Sequence, residues 1–74
     1  MDTVRHVKIS GSKVQRAREL QLISRKELAD KAGMHMDHLA RIERGDIPTP
    51  HMRTIRRLVD ALGVPVTEIT EDEE

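Results

Sequence analysis

The 74-residue sequence contains no cysteine, phenylalanine, tyrosine or tryptophan. Without cysteine there is no disulfide framework, no thiolate metal site and no cysteine nucleophile. Without aromatic rings there is no platform on which single-stranded bases can stack, which argues against the usual single-strand binders and RNA-reading sheets. No apolar run approaches the length of a signal core or a membrane span, so the expectation is a soluble, cytoplasmic protein. A chain this short buries only about 60% of the surface its unfolded form exposes, which leaves little room for an enzyme cleft. Nothing in the sequence asks for a cofactor.

What remains for a core is Leu, Ile, Val, Met and Ala, and a composition 36% hydrophobic is enough of these for a compact helical bundle. The formal net charge of zero conceals a segregation. All thirteen basic residues lie between Arg5 and Arg57, opposed there only by Glu19, Glu27, Asp30, Asp37, Glu43 and Asp46. Beyond Arg57 come Asp60, Glu68, Glu71, Asp72, Glu73 and Glu74 and no base. A basic block of this kind is either a phosphate-binding surface or an ordinary solvated helix face.

The punctuation of the chain divides it into helices. Ser24, with Glu27 three residues later, forms a capping box, and Leu28, Ala29 and Ala32 follow at helical spacing. Gly33 supplies a sharp turn, after which Met34, Leu39 and Ile42 give the next segment an apolar side that Gly45 closes. These features predict helix two to residue 32 and helix three over residues 35–44, joined by a tight turn. Upstream, Ser10 or Ser12 caps a first helix running to about Gln21, with Val14, Ala17 and Leu20 inward. Downstream, Thr49 as cap and Pro50 at the first helical position start a fourth helix. Its inward side is Met52, Ile55, Leu58, Val59 and Leu62, and Arg53, Arg56, Arg57 and Asp60 face outward. Gly63 ends it, and Val66 with Ile69 anchor a short fifth helix after Pro65. Residues 1–10 read as an arm or short strand, residues 11–69 as the domain, and residues 70–74 as an acidic tail. A strand over residues 3–9 needs a partner, which a second subunit can supply; without one the segment up to Ser10 is disordered.

Arg18, Leu28-Ala29, Gly33, Leu39, Ile42-Glu43-Arg44-Gly45, Pro50 and Ala61-Leu62-Gly63-Val64 form a linked series in which the chain resembles the Xre family, the DNA-binding helix-turn-helix domains typified by phage Cro and phage repressors. The resemblance covers about residues 14–69. It implies an all-α, five-helix, lambda-repressor-like bundle in which helix three enters the major groove and helix two crosses above it. Met36, Asp37 and Arg41 fall where the family reads base edges, with His35 and His38 beside them. Arg25 and Arg44 fall where phosphates are held, and Arg18 and Glu43 where the family places a partly buried ion pair. Three departures stand out. Leu22 occupies a position where the family usually has glycine, so it must avoid a left-handed backbone or tolerate its strain. His35 replaces the usual Ser or Thr cap. The loop after Gly45 is DIPTPH instead of basic, leaving His51 and backbone amides for phosphates.

Each candidate has an alternative role. Arg41 can donate two parallel hydrogen bonds to guanine or serve as a phosphate or surface charge. Asp37 can accept from cytosine N4 or pair with Arg41 four residues on. Met36 can touch a thymine methyl or be plain surface. Arg25, at the start of helix two, has both charge and nearby amides for a phosphate. Arg44 can hold a phosphate or the helix-end carbonyls. His35 and His38 have the spacing of two metal ligands, but no third or fourth ligand accompanies them, so metal binding is not expected. Ser24 reads as a cap, with no base and acid arranged around it to make it a nucleophile.

The expected function is a sequence-specific double-stranded DNA-binding regulator, a repressor, acting as a homodimer with two recognition helices about 34 Å apart. Its dimer surface would come from Val64, Val66 and Ile69 or from residues 3–9. The competing readings are an antitoxin that binds a toxin partner and represses its own operon, and a protein-interaction module that keeps the fold without reading DNA.

Overall fold

The computed structural model describes residues 8–71. Four α-helices, α1 (Gly11–Leu20), α2 (Arg25–Ala32), α3 (Met36–Arg44) and α4 (Met52–Leu62), are followed by a 3-10 turn at Val66–Glu68. The expected fifth helix is therefore a single tight turn. Pro65 opens it, and the chain must bend at once to bury Ile69 completely and to pair Thr70 with Ile9, which leaves no length for an α-helical ladder.

Each helix begins and ends for a local reason. Of the two candidate caps for α1, Ser10 is used, its Oγ accepting the Lys13 amide at 3.3 Å. The capping box of α2 is complete: Glu27 N donates to Ser24 Oγ at 3.0 Å, and Ser24 N donates to Glu27 Oε1 at 2.8 Å. His35 is the N-cap residue of α3 and makes no side-chain cap bond, so this helix starts at Met36. Helix α4 starts two residues later than Thr49 and Pro50 predict, with His51 as N-cap residue. The intervening loop has another job, because the Pro48 carbonyl accepts the Ile9 amide at 2.7 Å and Ile47 packs against the core.

The turn after α1 resolves the question raised by Leu22. Its φ is 58°, so the leucine adopts the left-handed backbone and tolerates a strain of roughly 1 kcal/mol. The geometry closes the helix: Leu22 N donates to Glu19 O at 2.9 Å and Ile23 N reaches back to Arg18 O at 3.4 Å. The reversal swings Ile23 toward the core and leaves Leu22 91% exposed.

Helix α1 packs on α3, and α2 packs on both α3 and α4. Between them lies one core of Ile9, Val14, Leu28, Ala29, Ala32, Leu39, Ile42, Ile55, Leu58, Leu62 and Ile69. Leu20 and Met52, expected on inward faces, are exposed. Each is a terminal residue of its helix, beyond the reach of the neighbouring element.

The first turn of α1 presses directly on the last turn of α3. A Cβ on Gly11 would lie 2.5 Å from the carbonyl oxygens of both Ile42 and Glu43, so only glycine permits this approach. The flanking segments are also stitched together. Ser10 N donates to Ile69 O at 2.9 Å, Glu71 N to Lys8 O at 3.0 Å, and Lys13 Nζ to Thr70 O at 2.9 Å. Ile9 and Thr70, assigned from sequence to the arm and the tail, thus sit against the helices, and the partner of Ile9 is the chain's own end. Residues 1–7 and 72–74, including the rest of the arm and of the acidic tail, lie outside the described residues.

Candidate nucleic-acid interface

Helix α3 buries Leu39, Ile42 and Glu43 and leaves Met36, Asp37, His38, Arg41 and Arg44 exposed. The spacing explains the division, since positions 39, 42 and 43 share one side of a helix and positions 37, 38, 41 and 44 share the other. His35, just before the first turn, is exposed as well. The sequence-predicted base-edge group of His35, Met36, Asp37, His38 and Arg41 therefore lies together at the amino-terminal part of α3, clear of the core. Among the described residues no hydrogen bond or ion pair engages the side chains of Asp37, His38 or Arg41, and Asp37 and Arg41 are not paired with each other. No cluster of three metal-ligating side chains surrounds His35 and His38 among the described residues.

Beneath this ridge is an ionic anchor. The Glu43 carboxylate, its side chain 1% exposed, accepts from Arg18 Nε at 2.8 Å through Oε2 and from Arg18 Nη2 at 3.2 Å through Oε1. Arg18 also donates through Nη1 to the Ile23 carbonyl at 3.1 Å. One guanidinium thus ties together α1, the α1–α2 turn and α3. A fork-to-fork contact of this kind is the strong form of an ion pair, and removing one partner from a buried pair costs about 3–5 kcal/mol. No buried side-chain nitrogen or oxygen among the described residues lacks a partner, so the anchor is fully satisfied.

The predicted phosphate-holding residues fall into three situations. Arg25, at the first position of α2, is half-buried and donates Nε to Glu43 Oε1 at 3.2 Å. Arg44 is exposed and forks onto Asp46, Nε at 3.2 Å and Nη2 at 2.9 Å. In water such a surface pair contributes about 0–1 kcal/mol and gives way easily to a stronger anion. His51 is exposed at the start of α4, with no cap bond from its side chain. Sequence reasoning missed two contacts: the link from Arg25 to Glu43, and Arg57 Nη1 donating to the Gly33 carbonyl at 3.4 Å at the α2–α3 turn. Both join residues distant in sequence, and no local spacing encodes them.

A tight helix pair with an exposed amino-terminal ridge on its second member is a helix-turn-helix arrangement. The helix-turn-helix family model matches residues 14–69. The chain belongs to the Xre-like helix-turn-helix family. As a member, it is a DNA-binding transcriptional regulator. Among solved structures it is similar to the restriction-modification controller protein C.AhdI from Aeromonas hydrophila. The TM-score is 0.73 at 24% identity, covering 78% of this chain and 86% of that one. This likeness concerns the fold. No curated protein matches the chain. No helix among the described residues is long and apolar enough to cross a membrane.

Proposed function

We propose that the protein is a sequence-specific repressor that reads the major groove with the exposed edge of α3 and occludes a promoter. The observation that carries this reading is the set of Asp37, His38 and Arg41, without partners among the described residues, on a helix whose opposite side is locked into the core. Arg41 reads guanine, Asp37 accepts from cytosine, and Met36 contacts a thymine methyl, with His35 and His38 alongside. Arg25, Arg44 and His51 hold phosphates on either side of the ridge. We assign the protein no catalytic role.

One module this small covers few base pairs, so the repressor acts as a homodimer on a two-fold site. Among the described residues of the surfaces named from sequence, Ile69 and Ile9 are buried and Val64 is half-buried, leaving Val66 as the exposed apolar one. With exposed Met52 and half-buried Val59 it borders a shallow groove on α4, flanked by Arg53 and Arg56, and this apolar strip supports the dimer. A second reading, a protein-interaction module that keeps the fold without reading DNA, is favoured by the exposed Leu20 and Leu22.

Duplex binding measured across salt concentrations separates the two. The repressor reading predicts that log affinity falls linearly with log salt, with a slope reporting several released counterions. A chain that binds no duplex even at low salt contradicts it.

A further inference from the structure

The Arg25 guanidinium has three nitrogens, and only Nε is engaged, at 3.2 Å from Glu43 Oε1. Its side chain is 41% exposed, and its two terminal nitrogens have no partner among the described residues. Glu43 is already doubly bound by Arg18, whose Nη2 also lies 4.0 Å from the exposed Glu19 carboxylate, so Arg25 adds a second cation to Glu43 whose free edge faces solvent. A carboxylate that needed only neutralising would not require Arg25.

We infer that Glu43 is a positioning residue for DNA binding: from its buried seat on α3 it grips Arg25 by one edge and aims the free edge of the guanidinium at a phosphate. The inference rests on the DNA-reading role proposed above. Arginine suits this task because its planar fork can serve a carboxylate on one edge and a phosphate on another. The same carboxylate belongs to the recognition helix. Holding the backbone and reading the bases are therefore set by one rigid joint, so the register of α3 in the groove follows from where Arg25 meets the phosphate.

The test compares the parent with Arg25→Ala and Arg25→Lys on one selected duplex and on unrelated duplexes, over a range of salt, after thermal melting confirms that both variants fold. Removing a charge-assisted contact with the Ala variant weakens every duplex about tenfold or more and flattens the salt slope by about 0.9. The lysine variant keeps the charge, but its single nitrogen cannot occupy both ends of the joint, so it stays within about threefold of the Ala variant. In the DNA-free parent, the Arg25 Nε proton gives a slowly exchanging NMR signal, unlike that of exposed Arg53. A lysine variant that binds like the parent, or an Arg25 signal exchanging as fast as that of Arg53, overturns the positioning role. A parent that binds no duplex at low salt overturns the DNA reading itself, which distinguishes the two failures.

Discussion

The inner and outer faces of α3 are made from interleaved residues of one nine-residue helix, and they are treated in opposite ways. The inner face is fastened by three different means. Leu39 and Ile42 are fully buried, Glu43 is clasped by two arginines, and the backbone at Ile42 and Glu43 is met by Gly11 of α1. The outer face has Asp37, His38 and Arg41 in solvent with no partner among the described residues. Rigidity on one side is what makes the other useful. A side chain that must meet a base edge loses less freedom on binding if the helix carrying it is already fixed.

Substitutions on the inner face should therefore cost stability, and substitutions on the outer face should cost recognition alone. The largest effect belongs to Glu43→Ala, which strands Arg18 without its buried partner and should lower unfolding free energy by about 3–5 kcal/mol in chemical denaturation. Gly11→Ala comes next. The new methyl meets two backbone carbonyls that have nowhere to retreat, and the loss should be about 1–3 kcal/mol, seen as a lower melting temperature.

Arg41→Ala sharpens the contrast from the other side. Its stability should stay within about 0.5 kcal/mol of the parent, while discrimination at one base position falls by about 1–3 kcal/mol in competition binding. The smallest effect concerns the α1–α2 turn. Leu22→Gly relieves the left-handed strain of an exposed side chain and should raise stability by about 0.5 kcal/mol, with DNA affinity unchanged.

The four helices were legible because their signals are local. A capping box, a Gly33 turn and apolar residues at helical spacing act within a few positions, and tertiary context reinforces each of them here. The outer face of α3 was legible for the same reason, since periodicity alone assigns which residues the core cannot take. What escaped was non-local. That Pro48 and Ile69 would accept the amides of Ile9 and Ser10 delays α4 and shortens the last helix to a turn, and nothing near those residues announces it. The close approach of Gly11 to α3 is equally silent, because its backbone is ordinary and its need for glycine comes from another helix. Leu22 shows the converse: the local rule pointed to strain, and the structure accepts the strain to pack Ile23 against the core.

The central claim, that the free edge of α3 reads bases while its anchored side holds it still, is tested most directly by selecting bound sequences from a random duplex pool in parallel with the parent and with Arg41→Ala. The account predicts one two-fold symmetric consensus for the parent, with half-sites about one helical turn apart, and relaxation at a single guanine position in each half for the variant. A parent that enriches no sequence, or a variant that enriches the identical consensus, contradicts it.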